Sequence, residues 1–315
     1  MKKTVNTAIL LVVLGVFYSC FDQDADYAGA LHYETESIFV IDNDVYVSGW
    51  YYLDKTTDWV DCYWVNGERV DRSVIEDAKA ISAKYGDTTN FSFRDRWRDY
   101  PYIVSNGDLY AVYDGGYTKN GDETEVVLDE LEGVENTHDN FYGMFVSGED
   151  VYIIGEIVGH DSNGNRKDLT FLWKNGVAEY FDRDCYCDIT VSGSDVYTID
   201  SRHAYRNNVF IEGSFSPFNC YKYIQVDGGD VYILGWVTSA DPGSYTADYC
   251  YWKNNEKIDI SEDDDEWVTS MFVNNGDVYF ASWYTTNGYY SPDMFSSVEY
   301  SRPCYYKNGE RIDLE

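Results

Sequence analysis

Apolar and aromatic residues recur along this chain in short runs, each opened by an Asp, and the same run returns six times. It starts at Asp44, Asp108, Asp150, Asp195, Asp230 and Asp277, reading DVYVSG, DLYAVY, DVYIIG, DVYTID, DVYILG and DVYFAS. A second element built around Asn follows each run. It reads WVNG from Trp64 to Gly67, TKNG from Thr118 to Gly121, WKNG from Trp173 to Gly176, YRNN from Tyr205 to Asn208, WKNN from Trp252 to Asn255 and YKNG from Tyr306 to Gly309. Asn-Gly supplies the positive φ that a tight hairpin needs, so its return marks a repeated strand reversal. Apolar residues ahead of the Asp, as at Ile38 to Ile41, Phe145-Val146 and Phe272-Val273, predict a first strand. Val70, Val126-Val127, Ala178, Phe210, Ile258 and Ile312 mark a fourth. Because apolar residues occupy both parities of these strands, both faces of each small sheet must be buried.

Four-stranded units that repeat every 35 to 64 residues and bury both faces predict blades around an axis. The expected fold is all-β, a six-bladed β-propeller of four-stranded antiparallel blades over residues 37–315, preceded by a lipoprotein signal peptide. The last copy runs out at Asp313-Leu314, so repeats and blades share their boundaries. No spare strand for closing the ring through a shared sheet is evident, and Ala30 to Tyr33 is the one segment that could provide it. A short helix is expected around Val74 to Lys84.

The start of the chain reads differently. Lys2 and Lys3 precede the apolar run Ala8 to Phe17, then Ser19-Cys20, then Asp22, Asp24 and Asp26. A basic start, a short apolar core and a small residue before a cut describe a signal peptide over residues 1–19, too short to span a membrane. Cys20 at the cut is the expected lipidation site, with residues 20–36 as an acidic tether. Phe17 and Tyr18 depart from the usual lipobox, which leaves ordinary secretion as the alternative.

A formal net charge of −33 excludes nucleic acid and anionic lipid as partners and is compatible with cations, basic peptides or neutral sugars. Membrane attachment is expected through the lipid anchor only. Export permits disulfides, yet Cys62, Cys250 and Cys304 fall at one repeat position on separate blades, which seldom approach within disulfide reach. They read as buried packing residues. A Cys185 to Cys220 bridge stays open, as does the state of Cys187.

Strand order sends the tight turns between strands 1 and 2, and 3 and 4, to one face of the ring. The other face receives every long loop, and long loops on a rigid scaffold are where binding and catalysis usually sit. Its candidates are Trp50, Tyr52 and Trp59 in the first copy, Trp236 and Tyr245 in the fifth, and Trp283, Tyr284 and Tyr289 in the sixth. Blades one and six adjoin in a closed ring, with blade five beside them, so these rings form one aromatic sector next to the acidic run Glu262 to Glu266. Aromatic rings bordered by carboxylates suit sugars, and such patches serve protein partners equally well. Trp50, Trp236 and Trp283 also share one repeat position, which fits a packing role between blades.

Several motifs approach a recognised chemistry and stop short. Asp161 to Asn165 with Asp168 alternates oxygen ligands like a calcium loop, but Arg166 and Lys167 interrupt it and no bidentate Glu follows. A hairpin turn accounts for it more simply. His138, His160 and His203 lack metal-ligand spacing, and His203 holds the repeat position of Cys62. There is no G-x-S-x-G elbow and no phosphate-binding glycine loop, and no carboxylate pair stands out among so many acids. No metal, cofactor or catalytic residue is assigned.

The lipoprotein-like start, joined to repeats of the form S-G-x-D-V-Y-x-x-G then Y-W-K-N-G, resembles a group of exported β-propeller repeat lipoproteins of Bacteroidota. Copies three and five match best; copies two and four depart, with Thr118 and Tyr205 where Trp is typical. The resemblance implies a propeller at the cell envelope, a surface-exposed outer-membrane lipoprotein, and carries no activity with it. The expected function is a non-catalytic binding module for a glycan or a cell-surface protein. The alternatives are a polysaccharide- or peptide-acting hydrolase and a structural subunit of an envelope complex.

Overall fold

The structure, a computed structural model, describes residues 30–41, 43–53, 59–70, 92–95, 98–105, 108–113, 115–128, 134–181, 186–211, 219–238, 247–260, 266–286 and 300–314. The expected signal peptide, Cys20, the helix at 74–84, Cys185, Tyr245 and Tyr289 lie outside them. So do the side chains of Tyr52 and Trp59, although their backbones belong to strands.

Six antiparallel sheets follow one another along the chain. The first is β1 (Ala30–Ile41), β2 (Asp44–Leu53), β3 (Trp59–Val65) and β4 (Glu68–Val70). The second is β5 (Ser92–Asp95), β6 (Arg98–Ser105), β7 (Asp108–Tyr113), β8 (Gly116–Lys119) and β9 (Asp122–Glu125). The third is β10 (Val134–Ser147), β11 (Asp150–Asp161), β12 (Arg166–Lys174) and β13 (Val177–Phe181), and the fourth is β14 (Tyr186–Ser192), β15 (Asp195–Asp200), β16 (Ala204–Arg206) and β17 (Val209–Phe210). The fifth is β18 (Asn219–Asp227), β19 (Asp230–Thr238), β20 (Ala247–Lys253) and β21 (Glu256–Asp259), and the sixth is β22 (Glu266–Asn274), β23 (Asp277–Thr286), β24 (Tyr300–Lys307) and β25 (Glu310–Asp313). Strands pair in sequence order within every sheet, giving the expected six-bladed propeller. Blade two differs by one strand: β5 adds to the free edge of β6 and packs against β1.

The residues that spell the repeat lock each blade at its tight-turn end. In blade three, Asn175 Oδ1 accepts from the Val151 amide at 2.9 Å, and its Nδ2 donates to Asp150 Oδ1 at 2.7 Å. Lys174 Nζ donates to Asp150 Oδ2 at 2.8 Å and lies 4.8 Å from the Tyr152 ring centroid. The same Asp–Asn pair and amide bond recur at Asn66, Asn120, Asn207, Asn254 and Asn308. Every one of these Asn residues has a φ between 46° and 53°, the left-handed region that Asn tolerates better than other non-glycine residues. The lock fixes how strand 2 meets strand 3, so it sets the register of the whole blade.

The glycine that closes the Asp-opened run, inside strand 2, answers a second demand. A Cβ at Gly49, Gly155 or Gly235 would stand 2.1 to 2.2 Å from a carbonyl oxygen of strand 1, beside the bulge that each first strand carries there. In blades four and six the position holds Asp200 and Ser282 instead.

Blades meet through apolar layers, as both-parity hydrophobicity requires. Tyr232 and Leu234 of blade five, for example, pack with Val268, Phe280 and Tyr306 of blade six. Polar side chains near the axis add clamps between inner strands. Asp188 accepts from the Ile224 amide at 2.9 Å, Gln225 bonds both the amide and the carbonyl of Val273, and Asp227 accepts from the Gly276 amide at 2.7 Å. Blades one and six close the ring without a shared sheet, because Ala30 to Tyr33 belong to β1 and pair with β2. Instead β1 packs on β22, β23 and β24. Ser301 Oγ accepts from the Tyr33 amide and donates to the Tyr33 carbonyl, and Thr35 and Thr269 share a hydroxyl bond of 2.9 Å.

Candidate functional site

Among the described residues, two places could hold a ligand. The first is the axial cavity, about 600 Å³, lined by the inner strands from Ile38 and Val40 round to Met271 and Val273. Its polar lining includes Asp188, Gln225 and Asp227, the same groups that clamp neighbouring blades together. Those bonds assign them to the scaffold.

The second is the long-loop end of blades five and six. Strand 2 runs away from the tight turns, so Trp236 and Trp283, each one residue past the end of the Asp-opened run, reach this end of their blades. Trp236 sits opposite Tyr249 in the register of β19 and β20, with ring centroids 6.0 Å apart. Trp283 sits opposite Trp267 in the register of β22 and β23, and the two indoles stack at 5.6 Å with an interplanar angle of 6°. Tyr249 and Trp267 lie 6.4 Å apart, which joins the two cross-strand pairs into one run of four rings. Burial pushes the Tyr249 phenol above its ordinary pKa, so it stays a neutral hydrogen-bonding group. Trp267 is 52 % exposed, an uncommon condition for the largest side chain of a folded domain.

The ring run rests on a buried polar foot. Glu266, 4 % exposed, receives hydrogen bonds from Ser282 Oγ at 2.9 Å, Tyr306 Oη at 2.6 Å and Cys304 Sγ at 3.5 Å. Ser282 Oγ also lies 3.0 Å from the Trp267 carbonyl oxygen. A buried carboxylate with its donors in place holds the first residues of β22, and with them the Trp267 backbone, in one geometry.

The other expected site residues fall out differently. Trp50 is 7 % exposed and belongs to the buried interior, as the packing reading of the shared position holds. Tyr284 faces the Arg311 guanidinium, 4.5 Å from its ring centroid, and its phenol is pushed up chiefly by burial. The structure thus brings Trp236 and Trp283 together and adds Tyr249 and Trp267, which the sequence pattern did not single out.

The motifs that resembled metal or catalytic sites have internal partners. Asp161 accepts from the backbone amides of Asn163 and Asn165 and from the Asn165 side chain, a turn that holds its pKa at about 2. Asp200, 1 % exposed, accepts from the amides of Arg202 and His203, from Tyr205 Oη at 2.8 Å, and lies 3.0 Å from His203 Nδ1. Among the described residues no three His, Cys, Asp or Glu side chains converge as metal ligands. Cys62, Cys220, Cys250 and Cys304 carry free thiols.

No protein-family model and no curated protein matches the chain. Solved structures match it over most of its length at low similarity. An acylaminoacyl peptidase from Pyrococcus horikoshii is 9 % identical over 92 % of this chain, with a TM-score of 0.43; the match covers 53 % of the peptidase, so the chain spans about half of it. The β-propeller domain of the Trilobed protease from Pyrococcus furiosus is 8 % identical over 91 % of this chain and 96 % of that domain, with a TM-score of 0.37. The N11 neuraminidase-like protein of A/flat-faced bat/Peru/033/2010 is 9 % identical over 88 % of each chain, with a TM-score of 0.41. None of these likenesses carries an argument about the chemistry of this chain.

Proposed function

We propose that the protein is a surface-anchored lipoprotein whose propeller is a non-catalytic binding module, holding a glycan or a protein on its long-loop aromatic face. The observation that carries the reading is the half-exposed Trp267 stacked on Trp283, with Tyr249 and Trp236 continuing the run of rings. An exposed indole backed by a second indole presents a large rigid surface and loses little conformational freedom on binding. The net charge of −33 disfavours polyanionic partners. Anchoring rests on the basic-apolar-Cys20 pattern at the start of the chain.

Glycan and surface-protein arrays probed with the chain from residue 21 test the reading. Retention that Trp267→Ala abolishes and Val177→Ala leaves intact supports it, since Val177 is exposed at a tight turn on the opposite face. Retention that survives Trp267→Ala would sink it. Cys20→Ser should abolish metabolic labelling by a fatty acid, and persistent labelling would move the anchor elsewhere.

A further inference from the structure

The binding reading leaves the ligand class open, and the surroundings of Trp267 narrow it. We infer that this face takes a neutral polysaccharide of pyranose units with equatorial hydroxyls, seated with its C–H-rich faces on the ring run that includes Trp267. The inference rests on the binding reading above and goes beyond it by naming the substrate class.

Three observations carry the choice of a sugar over a protein. The first is the isolation of the exposed ring. The other exposed large hydrophobics among the described residues, such as Leu109, Val177 and Phe210, lie on blades one to four. A protein interface of standard size buries about 800 Å² on each side around a desolvated apolar core, and one exposed indole does not supply that core. A sugar chain stacked on one exposed indole, with partly buried rings continuing beside it, needs no larger apolar patch.

The second observation is length. Four rings follow one another at separations of 6.0, 6.4 and 5.6 Å across two blades, steps comparable with the length of one sugar residue. Such a run fits a chain of sugars better than a lone terminal one. Cross-strand register, rather than a loop, positions all four rings, and the Glu266–Ser282 foot holds the backbone of the exposed one. Rigid rings reduce the entropy cost that weakens most sugar binding.

The third observation is charge. The rings' electron-rich faces attract the weakly positive C–H groups that a pyranose with equatorial hydroxyls presents above and below its plane. The net charge of −33 repels uronates or sulfates and leaves neutral sugars as the fitting class.

Native affinity electrophoresis with hydroxyethylcellulose, soluble xylan, yeast mannan and polygalacturonate in the gel is the test, paired with tryptophan fluorescence. Expected is retardation by hydroxyethylcellulose or xylan, weaker retardation by mannan with its axial hydroxyl, and none by polygalacturonate. Trp267→Ala should weaken the dissociation constant at least tenfold and Trp267→Phe should restore part of the affinity. Unchanged thermal melting will show that folding is intact. Preference for polygalacturonate in the wild-type chain, or equal retardation of Trp267→Ala, overturns the inference. So does a wild-type chain that none of the neutral polymers retards. If that chain still binds a defined surface protein through Trp267, the sugar assignment alone falls. If neither array retains it, the binding reading falls as well.

Discussion

Ring closure in this propeller depends on side chains of one strand reaching the backbone of another, so Ser301→Ala is a direct test of how blades one and six hold together. Ser301 is 4 % exposed, and its hydroxyl serves both the amide and the carbonyl of Tyr33. Alanine keeps the strand and its packing, and strips both backbone groups of that partner. A buried backbone group deprived of its hydrogen bond costs about 1 to 3 kcal/mol. Tyr33 is only half-buried, so water recovers part of the loss and a total of about 2 kcal/mol is expected, within a typical stability of about 5 to 15 kcal/mol. Urea unfolding followed by circular dichroism should show a lower midpoint with an unchanged slope. Hydrogen exchange should accelerate first in β1 and β24, because the Ser301 bonds join those two strands directly. A loss below about 0.5 kcal/mol, with exchange in β1 unchanged, would refute the reasoning. The seam would then be held by the Thr35–Thr269 bond and by apolar contacts of residues such as Tyr51, Tyr279 and Tyr305.

The lock at each tight turn predicts a contrast at Asn175: alanine loses two hydrogen bonds and meets the left-handed φ of 46°, for about 2 kcal/mol, whereas glycine loses only the bonds, for about 1 kcal/mol, and chemical denaturation of both variants checks the order. Asp161 should titrate at about 2 by NMR, below the ordinary carboxylate value of about 3.9, and Asn165→Ala should bring it back up. Since its folded pKa is depressed, its contribution to stability is present above the unfolded value and is lost as pH falls through about 2; the lock residues Asp108, Asp150, Asp195, Asp230 and Asp277 share that sign through bonds from their Lys, Arg and Asn partners. Burial pushes the Cys250 thiol up to about 12 and raises those of Cys62 and Cys304, so a thiol-specific reagent should label these three only on unfolding, and rapid native labelling would contradict their packing role. Ser282→Gly restores the residue that blades one, three and five carry, yet it should destabilise by about 1 to 2 kcal/mol and shift tryptophan emission, because the one hydroxyl donor that Glu266 and the Trp267 carbonyl share is lost; a neutral result would deny the foot its role.

Much of the scaffold was legible because its signals are local. Asp, Tyr, Lys and Asn recur at fixed offsets because one lock uses them all, and the positive φ of the Asn marks the hairpin. The lock even fixes distant register: with Tyr232 opposite Lys253, simple counting places Tyr249 opposite Trp236. Counting fails on the inner hairpin of blade six. From the turn at Asn274 and Asp277, regular pairing would set Val268 against Trp283, but a bulge between Val268 and Ser270 moves the partner to Trp267. A bulge turns on one unpaired residue and leaves no mark in composition. For that reason the sequence pattern did not single out Trp267, whereas it carries the exposed face. The extra strand β5 was missed for a related reason, since Ser92 to Asp95 repeats nothing found in the other blades.

The departures from the repeat follow a physical rule. Where the Asp-opened run closes in glycine inside strand 2, the carbonyl of strand 1 approaches so closely that no side chain fits. A residue other than glycine there takes room beside the bulge, and its polar group must find partners of its own. In blade six Ser282 does so and brings Glu266 with it, together with Tyr306 and Cys304. In blade four the replacement is itself a carboxylate, Asp200, which turns the chain through the amides of Arg202 and His203. Buried carboxylates are costly unless fully bonded, so each persists only where its donors are already in place. One of them directly precedes, along β22, the residue whose indole the fold leaves exposed, and this joins the break in the repeat to the face that we propose binds a ligand.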